Sequence, residues 1–456
     1  MLCFMSYLPV TYSQGAAALV AGVDAMAPLK CNNLHEVHES SLRIALLGYR
    51  SHPHVGGQGI YLQYLSKALV ELGHSVDVIS GPPYPELDSR VRLIQLPSLD
   101  LYAHPHPTRA LRLHHLRSFT DTYEWWSKLS GAFGEPYCFG RRLLNYFKKH
   151  KPLYDIIHDN QSLCYGLLNL QKCGHKVIAT VHHPITRDRE LALAAATDKG
   201  QRWLINRWYN FLTMQQKVVQ GLTRVVTVSE QSRCDIVSAF DCDAKKITVI
   251  PNGVDTRIFK PLPDVTRTPL QLITTASSDQ PLKGLSVLLR AIADLAPEFP
   301  QLQLRVIGKL KENGATEQEL QQLQLVERVS FITGISTDEV VREYAQASIA
   351  IVPSLYEGFG LPAAEAMACG VPIICSDGGA LPEVVGDAAY SVRAGDVQSL
   401  VDALRELLTN SALCEALSTR GRAHILQQLS WDCVGKKMVA YYRQCLAEPQ
   451  QSIGNQ

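Results

Sequence analysis

From Arg43 onward, short apolar runs rich in Val and Ile alternate with longer stretches whose apolar residues recur at helical spacing. This alternation predicts a parallel sheet wrapped by helices, because parallel strands are buried on both faces and need helical crossovers. The opening unit is the clearest. Residues 43–48 read as a buried strand, Gly56-Gly57-Gln58-Gly59 as a loop, and Leu62, Leu65, Leu69 and Leu72 as one stripe of a helix closed by Gly73. Further strands are predicted at 76–80, 92–97, 155–158, 176–181, 224–228 and 247–250, which completes one doubly wound domain. The stretch from Phe259 to Pro269 is too rich in proline for regular structure and reads as a linker. The alternation then restarts, with strands at 271–276, 303–307, 329–333, 348–353 and 371–375 and helices such as 285–295 and 399–408.

The fold expected is therefore α/β, with two facing, doubly wound (Rossmann-like) parallel-sheet domains. Their bounds are 41–262 and 268–428, after an extension over 1–40 and before a closing helix at 429–447. Ligands of such sheets sit beyond the carboxyl ends of the strands, so two facing domains would line a cleft with loops from both.

Charge and cysteine usage narrow the function classes. Among the 456 residues, 44 Lys and Arg against 43 Asp and Glu leave no global field for nucleic acid, so an anion site must be local. The 12 cysteines include no Cys-x-x-Cys pair, which argues against a zinc site or a disulfide framework and for a reducing, cytoplasmic setting. The mild apolar patch from Ala16 to Leu29 is interrupted by Asp24 and has no basic stretch before it, so neither a membrane span nor a signal peptide is expected. The basic stretch from Gly140 to Lys151, near Trp125-Trp126, has two readings: peripheral contact with the inner face of a membrane, or an amphipathic crossover packed on its own sheet.

The strongest chemical signal is Pro353-Ser-Leu-Tyr-Glu357-Gly358-Phe359-Gly360-Leu361-Pro-Ala-Ala-Glu365-Ala-Met-Ala-Cys-Gly370. A strand ends in a glycine-rich loop that exposes backbone amides, and Pro362 suits the first turn of a helix whose start favours an anion. Glu357 and Glu365 supply two acceptors suited to the hydroxyls of a sugar and a ribose.

This stretch resembles the two-glutamate motif of the family 4 (group 1) retaining glycosyltransferases, which have the two-domain GT-B architecture. The resemblance implies that Glu357 contacts the donor sugar near the reacting carbon and Glu365 the nucleotide ribose. It also implies that Gly358, Phe359, Gly360 and Leu361 line the donor with backbone groups. In Ser277-Ser-Asp-Gln-Pro-Leu-Lys283-Gly284, Lys283 stands where the family places a phosphate-binding lysine, but Ser277 stands where members typically offer an arginine. Serine supplies neither the charge nor the forked geometry, so the donor differs or a cation arrives from elsewhere, with Arg50, Arg187 and Arg189 as candidates. By the same resemblance Gly57 brings a loop backbone against the diphosphate. His182, in Ala179-Thr-Val-His182-His183-Pro184, meets a sugar hydroxyl or helps align the acceptor, and Gly334 and Ile335 flank the nucleotide base. Ser430-Trp431 opens a helix that crosses back to the first domain.

The resemblance as a whole implies a hexosyltransferase that retains configuration, with Glu357, His182 and Lys283 as catalytic residues. Its partners are a nucleotide-sugar donor and a carbohydrate, lipid or small-molecule acceptor, with no cofactor and no metal. Asp241-Cys-Asp243 mimics a metal motif but reads as a solvated turn. The alternatives are a non-catalytic sugar-nucleotide-binding subunit, allowed by Ser277, and a phosphorylase of similar fold.

Overall fold

The apolar runs become the central strands of two parallel sheets. The computed structural model describes residues 40–53, 57–103, 106, 108, 110–194, 196–276 and 278–448. Within these, the chain divides into one unit of residues 40–255 with 429–448 and a second of residues 256–428.

The first unit holds β1 (Arg43–Gly48), β2 (Ser75–Ser80), β3 (Arg92–Gln95), β4 (Ile156–Asn160), β5 (Val177–Thr180), β6 (Val225–Thr227) and β7 (Ile247–Val249). They lie in the order β3-β2-β1-β4-β5-β6-β7, and every pairing is parallel. Alternate residues of a strand face opposite sides. Ala45 and Leu47 therefore enter one apolar core, with Phe139 and Leu143 of the helix Glu135–His150, while Ile44 and Leu46 enter the other. The second core is covered by the helix Gln58–Glu71 and by the closing helix Trp431–Ala447. Gly435 lets these two helices approach closely, since a β-carbon there would lie 3.1 Å from that of Ala68. Trp431 stacks on Tyr64 and meets Tyr61 edge-on, over Gly253. Val254 and Ser430 form a parallel bridge, so the chain leaves and re-enters this unit at one place.

The second unit holds β8 (Gln271–Thr275), β9 (Gln303–Ile307), β10 (Val329–Ile332), β11 (Ile349–Val352), β12 (Ile373–Ser376) and β13 (Tyr390–Val392), ordered β10-β9-β8-β11-β12-β13 and parallel throughout. Helices Leu285–Leu295 and Val397–Thr409 cover one face with a continuous leucine-rich core. In both sheets the strand order reverses at the centre, between β1 and β4 and between β8 and β11, and ligands of such folds bind where it reverses.

One expectation changes, and one of two readings of the basic stretch is met. β13 is not among the strands the sequence predicts, because three residues after a glycine turn are too few to show a period. The basic stretch belongs to the helix Glu135–His150, whose Cys138, Phe139, Leu143 and Phe147 are buried, so it is an amphipathic crossover. Asp241 ends a helix in the left-handed conformation and the Asp243 carboxylate accepts from the amide of Lys245, which are turn and capping roles. The ten described cysteines are free, and no described helix is long and apolar enough to cross a membrane. The extension with its patch at 16–29 lies outside the described residues.

Candidate active site

In the second unit the site begins with backbone packing. Lys283 ends a short turn, and Gly284 follows it at φ +67°, where a β-carbon would sit 1.9 Å from the carbonyl oxygen of Pro353. Only glycine allows the turn to press on the loop after β11. Leu355 N donates to Leu282 O at 2.8 Å and joins the two segments. On the other side Ala380 N donates to Glu357 O at 2.8 Å, and a β-carbon on Gly379 would lie 2.3 Å from that oxygen. The turn after β12 thus holds the Glu357 backbone in place.

The side chains then meet. Lys283 Nζ donates to Glu357 Oε1 at 2.6 Å, and Ser354 Oγ donates to the same oxygen at 2.9 Å. The carboxylate side chain is 12% exposed and the lysine 31%, so the pair is shielded but reachable. Gly360, at φ +96°, caps the helix Leu361–Ala368, with Pro362 in its first turn and Phe359 buried beside it. Free amides at such a start, backed by the helix dipole, form an anion site. Glu365 lies on this helix, and loss of water around its carboxyl pushes its pKa up to about 8. The neighbouring Tyr344 donates toward Pro362 O, and its hydroxyl also lies 3.1 Å from Thr275 Oγ1. Gly334 follows β10 at φ +72° with open space where a β-carbon would stand, and Ile335 is half-buried next to it.

Ser277 lies outside the described residues. Of the arginines offered as its substitutes, Arg50 is engaged by Glu135 at 3.1 Å and Arg189 by Asn206 at 2.8 Å; the Arg187 side chain lies outside what is described. Two cations that sequence reasoning misses are Lys309 and Lys311 in the loop after β9. Ser278 N donates to Lys309 O at 3.3 Å, and Lys311 N donates to Ser278 Oγ at 2.8 Å. Their signal is a Lys-Leu-Lys run at a strand end.

In the first unit Gly57, at φ +67° with open space around it, heads the helix Gln58–Glu71. Asn160 Nδ2 donates to Gln58 O at 2.9 Å, and His182 Nε2 donates to Asn160 Oδ1 at 2.8 Å. The amide orientation makes Nε2 the protonated nitrogen and leaves Nδ1 as an acceptor. Burial, and secondarily His183, lowers the His182 pKa to about 3, so the ring is neutral. Gln161 fixes the backbone here, accepting from His182 N and donating to His183 O. Tyr61 meets the ring edge-on at 4.8 Å. Asn160 and Gln161 escape sequence reasoning, although a polar Asp-Asn-Gln run closing an apolar strand is unusual.

Among the described residues no group of three or more His, Cys, Asp or Glu is placed to hold a metal ion. The site therefore offers a cation beside a carboxylate, anion-binding amides and a second carboxyl; its second-unit groups and the His182 cluster belong to different units.

Comparison with known proteins gives concordant results. The family model "Glycosyl transferases group 1" matches residues 266–424, and "Glycosyltransferase Family 4" matches residues 55–258. The chain is 43% identical over 414 residues to the MMP alpha-(1->4)-mannosyltransferase of Mycolicibacterium hassiacum, covering 89% of this chain and 99% of that protein. It is 25% identical over 447 residues to the D-inositol 3-phosphate glycosyltransferase of Nocardioides sp., covering 90% and 92%. In structure it is similar to the sucrose-phosphate synthase of Thermosynechococcus elongatus, with a TM-score of 0.64 at 24% identity, covering 89% and 99%.

Proposed function

The chain belongs to the group 1 family of glycosyl transferases, and on that premise we propose that it moves a hexose, of mannose type, from a nucleotide diphosphate sugar to a hydroxyl acceptor. Transfer retains the anomeric configuration and uses neither metal nor cofactor. The observation that carries this reading is the Lys283–Glu357 pair, 2.6 Å apart, beside the start of the helix that bears Glu365.

With donor bound, Lys283 exchanges part of its contact with Glu357 for the diphosphate, and Glu357 turns its freed acceptor capacity to the sugar hydroxyls. The bond from the anomeric carbon to the phosphate oxygen breaks while charge grows on the leaving group, where Lys283 and the amides of Phe359, Gly360 and Leu361 stabilise it. The acceptor oxygen bonds to the anomeric carbon on the same face, and its proton passes to the departing phosphate, so no dedicated base is required. Glu365 accepts from the ribose, the Gly57 backbone approaches the diphosphate, and Gly334 and Ile335 flank the base. His182 offers Nδ1 to a sugar hydroxyl. Lys309 supplies the charge that Ser277 lacks, since Lys311 is paired with Asp279 at 3.7 Å. A cytoplasmic setting suits this donor, and any contact with a membrane surface falls on the exposed Phe119 and Trp126 rather than on the basic crossover helix.

The test is a turnover assay with uridine, guanosine and adenosine diphosphate sugars, with the product anomer read by NMR and chelator present in a parallel reaction. An α-linked product from an α-linked donor, formed equally in chelator, is expected, and Glu357→Ala should end it while unfolding stays cooperative. Near-normal turnover in that variant would sink the site assignment; an inverted product would sink retention.

A further inference from the structure

The core beneath the His182 cluster is not wholly apolar. By strand alternation, His158 on β4 and Thr180 on β5 point into the same core as Ile156 and Ile178, which the helices Gln58–Glu71 and Trp431–Ala447 cover. His158 Nε2 lies 2.6 Å from Thr180 Oγ1, and His158 Nδ1 lies 2.6 Å from the hydroxyl of Tyr442 on the closing helix. Thr180 Oγ1 is in turn 3.4 Å from the hydroxyl of Tyr61, whose ring stands edge-on to that of His182 at 4.8 Å. One string of side chains therefore runs from the closing helix to the His182 ring.

The strand register shows how the string meets the site. His158 is paired with Ile178, and Asn160 with Thr180. Each of these two residues of β4 bonds the residue two beyond its register partner: His158 reaches Thr180, and Asn160 reaches His182. The two bonds are successive rungs on one face of the sheet. Tyr61 spans them, with its hydroxyl on the inner rung and its ring against the outer one.

The proton directions follow from neutrality. Burial, and secondarily His182, lowers the His158 pKa to about 3, so its ring carries one N–H and one acceptor nitrogen. Burial also keeps the phenols of Tyr61 and Tyr442 protonated. Tyr442 is completely enclosed, and among the described residues its hydroxyl has His158 as its one hydrogen-bond partner, so it donates to Nδ1. Nε2 then carries the hydrogen and donates to Thr180, whose hydroxyl is left to donate to Tyr61. Every donation points toward His182. The string costs desolvation that apolar residues of similar size would avoid, and what it gains is one fixed orientation at its outer end.

We infer that Tyr442 and His158 are positioning residues for sugar transfer: through Thr180 and Tyr61 they hold the His182 ring in one orientation, so the closing helix completes the site as well as covering the core. The inference rests on His182 serving the transfer proposed above.

The experiment uses the full-length chain and whichever of the uridine, guanosine and adenosine diphosphate sugars it turns over fastest, counting transfer to α-(1→4)-linked mannotetraose together with hydrolysis. Tyr442→Phe removes one hydroxyl on the closing helix and leaves its ring in place. It should lower kcat about fivefold, with the donor KM changed by less than about twofold. Thr180→Val cuts the string in its middle and should lower kcat about tenfold. Because both changes break one string, the double variant should lose about tenfold rather than the roughly fiftyfold of independent effects. Tyr441→Phe, at the neighbouring buried phenol outside the string, should leave kcat unchanged. With the histidines labelled for nitrogen NMR, the His182 ring signals are identified by their loss in His182→Gln. In Tyr442→Phe and Thr180→Val they should move from the single Nε2–H tautomer toward an average of the two. An unmoved kcat in folded Tyr442→Phe, an equal fall in Tyr441→Phe, or unchanged His182 signals in Tyr442→Phe would overturn the proposal and leave the transfer reading in place. Tyr442→Phe and its signals decide the matter if Thr180→Val is unstable. Absence of all donor turnover by the unaltered chain would sink both.

Discussion

The two polar sites are built in opposite ways. In the second unit Lys283 and Glu357 are brought together by main chain: a glycine pressed on Pro353 O, a second glycine pressed on Glu357 O, and two backbone hydrogen bonds. In the first unit Asn160, His182, Arg50 and Glu135 are held mainly by side chains bonded to one another. Backbone packing has little freedom to adapt, whereas side-chain networks can re-pair. The first construction suits a constant ligand such as an activated donor, and the second suits an acceptor that differs from relative to relative.

The strongest way to break that comparison is at the charge itself. Lys283→Ala should lower kcat/KM for transfer by about 10²–10³-fold, the range for loss of a group that stabilises a developing anion, and steady-state kinetics would read it. If the loss were instead confined to the donor KM, lysine would serve binding alone. Gly284→Ala tests the backbone. Strain and collision with Pro353 O should cost about 3 kcal/mol of stability, whereas Gly57→Ala, at the same φ but in open space, should cost about 1 kcal/mol in urea unfolding. Equal costs would mean that the contact at Pro353 is not rigid.

Glu365 supplies a pH dependence. Its pKa in the folded chain, about 8, lies above the ordinary carboxyl value, so the folded state holds a proton that the unfolded chain releases. That contribution to stability is present at low pH and is lost as pH rises toward 8. Ribose hydroxyls donate to the ionised form, so nucleotide affinity should move the other way, rising by up to about tenfold per pH unit below the pKa and flattening above it. Calorimetry in buffers of different ionisation enthalpy should detect the released proton, and a flat profile would mean that Glu365 does not hold the ribose. The smallest effect belongs to the first unit. Asn160→Ala leaves the His182 ring N–H and Gln58 O without their partner and should cost about 1–2 kcal/mol of stability. Its transfer rate should fall more than its donor affinity, because the ring loses the bond that sets its tautomer.

The same contrast explains what can be read from sequence. Both parallel sheets are legible because each long strand is a continuous apolar run, and the Glu357–Glu365 stretch because its contributions lie within one loop and one helix. β13 is hidden by its length. The pairing of Arg50 with Glu135 joins residues 85 positions apart through a crossover helix, and nothing in either local sequence announces it. It turns a candidate phosphate-binding arginine into one already neutralised. Asn160 stands in a polar run at the end of an apolar strand, and only the fold brings it beside His182. Lys309 reaches Ser278 by parallel pairing of β8 with β9, a register that no motif encodes.

The bridge between Val254 and Ser430 bears on how the protein is made. A ribosome completes the seven strands of the first unit long before it reaches the helix Trp431–Ala447 that covers one of their faces. Until then Tyr61, Leu65 and Ala68 on the helix Gln58–Glu71 have no Trp431 or Met438 to pack against, while the whole second unit emerges and folds. The nascent chain therefore carries an uncovered apolar seam through roughly two-fifths of its synthesis, at elongation rates of about 5–20 residues per second. Truncation before Trp431 would make that transient exposure permanent, and the surface left behind is one that chaperones would hold and that other unfinished copies would find.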